Sequence, residues 1–291
     1  MLYDMYHVTE NVNDILTNNG NYINLLINSS YKKERRIKMK GILTERPRKD
    51  VLTKDDIAYM MDPSVLKLDT TLSDVKHMVD VCKKYGCGTC FCWPCYYPQL
   101  VELLEDAPVT KFGTSLGFPT GQETTETKVF LAHQFMKLEP ATNDMQMNVG
   151  WLKEGLYDLV LNDIKAVREA TPGVPLKVIM EVMLLTDDEI RKACELAIEA
   201  GADYVKTGSG FSVGKPTTIH HVKVITDTIG DRVKLKVAGG VRDLDTLLKM
   251  YKLGATRFGI GCASAEKILA EVDALGGSVN LNDIVIDESE L

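Results

Sequence analysis

GADYVKTGSG (201–210) and VKLKVAGGVR (233–242) carry one design twice. Each is a short run with apolar residues at every second position, a lysine close to its end (Lys206 and Lys236), and then a turn rich in glycine. A period of two is the mark of a β-strand whose two faces meet different surroundings. Residues 216–228 between them carry a helical pattern, so the stretch reads as strand, helix, parallel strand.

The same alternation extends in both directions. Strands are expected at 65–69, 88–93, 111–117, 143–149, 175–182, 203–207, 233–238 and 256–261. Helical patterns follow them near 71–85, 97–106, 122–137, 153–170, 186–200, 216–228, 242–253 and 263–274. Thr186-Asp-Asp-Glu has the form of a capping box, Pro216 suits a first helical turn, and Gly86, Gly201 and Gly254 suit helix ends. Eight strand–helix units in order predict an α/β fold with a parallel sheet closed as a TIM (β/α)₈ barrel in a single domain. An open doubly wound sheet is the alternative, but its Gly-x-Gly-x-x-Gly after the first strand is missing. The organisation expected is an N-terminal extension at 1–38, a segment with a short helix at 39–60, the barrel at 61–275 and an acidic tail at 276–291.

The strand faces point to chemistry inside that barrel. With Val233, Leu235 and Val237 outward, Lys234, Lys236 and Ala238 face in. By the same reasoning Asp144, Gln146 and Asn148, then Lys177 and Glu181, face in, and Lys206 shares its face with Tyr204. A structural barrel fills this space with Val, Ile and Leu. Internal salt bridges are one reading, although buried ion pairs stabilise poorly and need another reason to exist. The other is catalytic: two lysines at one barrel mouth lower each other's proton affinity, which makes a nucleophilic amine.

Composition narrows the partners. The chain has 291 residues, 45% of them apolar, and a net charge of −7, which disfavours nucleic acid and anionic membranes as partners. No apolar run approaches a membrane span, and Asp4 and Glu10 stand where a secretory signal would be cationic and apolar, so a cytoplasmic location is expected. Seven cysteines include Cys87-x-x-Cys90-x-Cys92-x-x-Cys95, with one residue between the pairs where zinc knuckles have a dozen or more. Packed, reduced thiols are expected there, and no metal. Residues 1–38 are rich in Asn and Tyr, ending in KKERRIKM, which a purine-rich message running into Met39 would encode. A translated leader and a real extension are both open readings.

Six stretches give a resemblance. MDPSVLKLDTT, GFPTG (117–121), NDMQMNVGWLKEG, LKVIMEVMLLTDDEI, GADYVKTGSGF and KVAGGVRDLD resemble, in order and spacing, the deoxyribose-phosphate aldolases over residues 61–274. The resemblance implies a class I aldolase on a TIM barrel, working without a metal or organic cofactor. It implies Lys206 as the Schiff-base lysine, Lys236 as the second lysine and Asp144 as the acidic partner of a proton relay. The substrate implied is a small sugar phosphate or aldehyde, 2-deoxyribose 5-phosphate, cleaved to glyceraldehyde 3-phosphate and acetaldehyde. Its phosphate is expected against Gly208, Gly210, Gly239, Gly240, Arg242, Gly261 and Cys262, and a homodimer or larger assembly is expected. Gly261-Cys262 stands where the family presents two serines, Phe91 where it has a cysteine, and Val182-Met183 follows Glu181 in place of Thr-Gly. Trp93 and Gln146 also depart from the usual residues. These changes leave open a related Schiff-base aldolase with another, unphosphorylated or acidic, sugar derivative, or a sugar-phosphate-binding barrel without catalysis.

Overall fold

The computed structural model describes residues 41–212 and 214–291, so the expectations for 1–38 lie outside the described residues. A strand β1 (Val51–Thr53) and helix α1 (Lys54–Met60) come first. Eight parallel strands then follow: β2 (Met61–Ser64), β3 (Thr89–Cys90), β4 (Lys111–Leu116), β5 (Thr142–Gln146), β6 (Leu176–Ile179), β7 (Tyr204–Lys206), β8 (Lys234–Ala238) and β9 (Arg257–Gly261). From β3 to β9 each pairs with its sequence neighbours, and β2 pairs with β9. The ring closes between β2 and β3, where Phe91 N–H donates to Pro63 O at 3.0 Å and Gly88 N–H to Met61 O at 3.2 Å. The TIM barrel expected from the alternation is the fold observed.

Helices α2 (Leu72–Tyr85), α3 (Tyr97–Leu103), α4 (Thr125–Met136), α5 (Val149–Lys153), α6 (Tyr157–Ala170), α7 (Asp187–Glu199), α8 (Ile219–Ile229), α9 (Leu244–Lys252) and α10 (Cys262–Ala274) surround the strands. Val178, Val205, Leu235 and Val237 point outward, buried against apolar helix faces such as Ile190, Ala193 and Ala197 of α7. Burying a side chain of this size contributes roughly 1.5–3 kcal/mol, so the helical shell supplies the stability and frees the barrel interior for polar groups. The Thr186–Glu189 capping box is present at the start of α7.

Several local expectations change. The first barrel strand is Met61–Ser64, four residues earlier than expected, because Pro63 reads as a strand breaker. Its missing N–H costs one bond toward β3, while its carbonyl still accepts from Phe91. The expected strand 65–69 is outside the sheet, and Leu68 is 92% exposed. Pro216 lies in a loop, and α8 starts at Ile219 with Thr218 and His221 forming the capping box. Asn148 leaves the barrel to cap α5 by accepting from Trp151 N–H at 3.1 Å. The acidic stretch 276–291 is held against the barrel: β10 (Ser278–Asn280) pairs antiparallel with β1, Leu281 is buried, and Glu290 meets Lys249 at 3.0 Å. Among the described residues no helix is long and apolar enough to cross a membrane.

Candidate active site

Neighbouring strands of a barrel bring residues distant in sequence to one level, and here they assemble a buried charge network. Lys206 Nζ and Lys236 Nζ both donate to Asp144 Oδ2, at 2.8 and 2.9 Å. Lys236 Nζ also pairs with Asp62 Oδ2 at 2.8 Å, and Asp144 Oδ1 faces Lys177 Nζ at 3.6 Å. Asp62 in turn accepts from Arg257 Nε at 3.1 Å, and Arg257 Nη1 lies 3.6 Å from Glu45. The network thus sets four cations (Lys177, Lys206, Lys236, Arg257) against three carboxylates (Asp62, Asp144, Glu45). In a medium that penalises net charge, the surplus cation is relieved most cheaply by releasing one lysine proton.

The lysines differ in which of them releases it. Burial lowers the proton affinity of Lys206, Asp144 opposes that, and the Lys236 ammonium adds to it, leaving Lys206 below the usual lysine range. Burial also pushes Lys177 down to about 7 against the attraction of Asp144. Lys236 goes the other way: the carboxylates of Asp144 and Asp62 outweigh its burial and raise it. Burial would raise Asp144, but the ammoniums of Lys206, Lys236 and Lys177 hold it well below the carboxylate range. For Lys206, burial is the larger cause and the like charge of Lys236 assists. Phe91 reinforces the charge on Lys236 by placing its ring centroid 4.2 Å from Nζ. Gly113 makes room for that ring, because a Cβ there would run into it.

Access separates the lysines further. A cavity of about 770 Å³ opens at the carboxyl ends of the strands. Lys206 and Lys236 line it, with side chains 9% and 1% exposed, whereas Lys177 is fully enclosed below. Three aromatic rings from separate loops wall the side above Lys206: Trp93, Phe118 and Phe211 meet with centroids 5.5–6.0 Å apart. Phe118 stands 5.9 Å from Lys206 Nζ and follows Gly117 at a cis bond to Pro119.

The far end of the cavity is built from Gly210, Gly239, Gly240, Arg242, Gly261 and Cys262. Gly261 is the N-cap of α10 and has no side chain to satisfy the helix's first N–H groups, which are free for an anion. Ser264 lies in the same first turn and lines the cavity. Burial, with help from Glu266, pushes the Cys262 thiol up to about 12. Gly208 is not at this surface; it is buried where Met183 packs, and a Cβ there would meet Met183 Cε at 2.6 Å.

Glu181 was expected to face the barrel interior. It instead sits past the end of β6 in the left-handed region (φ 57°, ψ 51°). From there it accepts from Ser209 N–H (2.9 Å), Ser209 Oγ (3.0 Å), Ser212 Oγ (2.7 Å) and Gln146 Nε2 (3.3 Å). These bonds fix the loop after β7 that carries Phe211. Asp62 and Arg257, the second tier of the network, were not singled out in the sequence. The signal for Arg257 is its place in TRFGIG, where it shares a face with Gly259; for Asp62 it is hidden by the misplaced strand. Of the cysteine run, Cys87, Cys90 and Cys92 are buried and Cys95 is exposed.

The sequence pattern of the family described as "DeoC/LacD family aldolase" matches residues 57–270. A deoxyribose-phosphate aldolase of Rhizobium meliloti (strain 1021) is 36% identical over 239 residues, covering 82% of this chain and 96% of the relative. One from Staphylococcus carnosus (strain TM300) is 41% identical over 204 residues, 70% of this chain and 92% of the relative. Among solved structures, the chain is similar to the tetrameric deoxyribose phosphate aldolase of Aeropyrum pernix. That likeness has a TM-score of 0.68 and 25% identity over 77% of this chain and 93% of that one. It is also similar to QR15, an aldolase, at a TM-score of 0.71 and 30% identity over 76% and 97%.

Proposed function

The chain belongs to the DeoC/LacD family of aldolases, and from that premise we propose that it works as a class I enzyme through a Schiff base on Lys206. The observation that carries the assignment is the division among the three buried lysines of the network. Lys206 alone of them combines a lowered proton affinity with a surface on the cavity. Lys236 is held charged, and Lys177 is shut in.

In the cleavage direction the Lys206 amine adds to the C1 aldehyde of open-chain 2-deoxyribose 5-phosphate and expels water, giving an iminium. A water held by Asp144 and Lys236 takes the C3 hydroxyl proton. The C2–C3 bond breaks, its electron pair moves into the iminium as an enamine, and glyceraldehyde 3-phosphate leaves. Protonation of the enamine at C2 and hydrolysis release acetaldehyde and the free amine. Lys236 keeps its charge throughout and stabilises the alkoxide that forms at C3. The substrate phosphate lies against the N-terminus of α10 and the Gly239–Gly240 turn, near Arg242. The aromatic wall excludes water from the enamine.

Incubation with acetaldehyde and borohydride tests the assignment: a reduced ethyl adduct is expected on the peptide bearing Lys206. An adduct elsewhere, or none, overturns it. The distal group is tested by comparing 2-deoxyribose 5-phosphate with 2-deoxyribose. Backbone N–H groups and Ser264 are expected to retain preference for the phosphate despite Gly261 and Cys262; higher kcat/KM on the free sugar would reassign the substrate. As the Aeropyrum pernix relative is tetrameric, an oligomer is proposed here too, to be read from sedimentation.

A further inference from the structure

Beside the distal end of the cavity, α2 and α10 bring together three side chains that take no part in the Schiff-base steps. Cys262 and Glu266 are four residues apart on α10 and therefore project from one face, while His77 reaches them from α2. His77 Nε2 and Glu266 Oε2 are already 3.3 Å apart, and the nitrogen, sulfur and carboxylate donors all lie within 4.8 Å of one another. All three residues line the cavity.

The donor set is specific in kind. One imidazole, one thiolate and one carboxylate suit a borderline-soft divalent ion, and hard cations such as Mg²⁺ would find too few oxygens. Around a tetrahedral zinc ion, with bonds of about 2.0–2.3 Å, donors sit roughly 3.3–3.8 Å apart. The side chains of His77 and Glu266, which would close that gap, are 62% and 41% exposed and so have room to move. The thiolate and carboxylate together offset the two charges of the ion. Cys262 is the first residue of α10, and its buried thiol gives up its proton only on meeting the ion.

We propose that His77, Cys262 and Glu266 form a zinc(II)-binding site whose fourth position opens on the substrate cavity. This site is separate from the Schiff-base lysine. It puts a cationic centre next to the turn where the hydroxyls of two family serines are replaced by Gly261 and Cys262, so an anionic or hydroxyl-bearing distal group can complete the ion's coordination.

The test uses the full reduced chain, stripped with EDTA and titrated with Co²⁺ as a spectroscopic stand-in. A thiolate-to-cobalt charge-transfer band saturating at one equivalent, and bleached by one equivalent of Zn²⁺, is expected. Cys262→Ser should abolish the band, and His77→Ala and Glu266→Gln should each weaken binding at least about tenfold, the scale on which even supporting groups of a metal site act. His77→Ala and Glu266→Gln alter exposed side chains, so they remain decisive if Cys262→Ser does not fold. Absence of the band in the unaltered chain overturns the proposal. So does its survival in Cys262→Ser, which would place it on the Cys87–Cys95 run, or unchanged affinity in both of the other variants. Borohydride trapping on Lys206 reads the catalytic assignment independently of either result.

Discussion

Asp144 presents a single carboxylate oxygen to two ammonium groups, and this sharing couples the proton on Lys206 to the charge on Lys236. Replacing Lys236 with Met removes the like charge and leaves Asp144 Oδ2 to Lys206 alone, so the Lys206 proton is held more tightly. The expected result is a kcat lower by about 10²–10³, the usual scale for a positioned proton-transfer partner. The acid limb of the kcat/KM profile should also move to higher pH; an unmoved limb would separate Lys236 from the titration of Lys206. Lys177 gives a stability test in the same network. An unfolded lysine keeps its proton to near 10.5, whereas folded Lys177 releases it near 7. Between those values the unfolded chain binds more protons, so this group makes stability rise with pH, by up to about 1.4 kcal/mol per unit. Below about 7 both states are protonated and its contribution is flat. Urea midpoints should climb from pH 7 to 9 in the natural chain and climb less in Lys177→Met; equal slopes would assign the effect elsewhere.

At the scale of elements, the loop after β7 is held by one residue in an unfavourable backbone conformation. A non-glycine residue in the left-handed region costs about 1–2 kcal/mol, and Glu181 bears that cost while accepting four hydrogen bonds. Glu181→Ala keeps the backbone cost and loses the bonds. Faster amide exchange at 208–212 and a KM raised about tenfold are expected, as the loss of one or two hydrogen bonds to a charged group would give. A wild-type exchange pattern would remove Glu181 from control of the loop. Periodicity located the lysines and Asp144 because each lies on a strand, where every second residue shares a face. The same rule failed for Asp62, since Pro63 made the strand look as if it began four residues later. It could not find the aromatic wall at all: Trp93, Phe118 and Phe211 lie on three loops whose meeting depends on closure of the whole ring. Asn148 and Glu181 were assigned inward because the alternation was carried past the strand ends, where the chain turns into caps.

On the scale of the molecule, the ends of the described chain are joined through the β1–β10 pair, with Leu52 and Val279 buried beneath it. Removing residues 278–291 uncovers that apolar surface and breaks the Lys249–Glu290 pair, while touching nothing in the cavity. A thermal midpoint lower by several degrees is expected, corresponding to roughly 2–3 kcal/mol for one or two large buried side chains. Borohydride trapping at 25 °C should be unchanged, and loss of trapping would show that the pair supports the site itself. The network also constrains how such a sequence could have been reached. A Cβ at Gly88 would strike the guanidinium of Arg257, which is held in place by Asp62 and the Tyr59 carbonyl. The same Cβ would run into the Tyr59 carbonyl oxygen, so shortening residue 257 would not by itself admit alanine at 88. Glycine at 88 is therefore demanded twice, by a side chain and by the main chain, and a change at 257 lifts only one of the two demands.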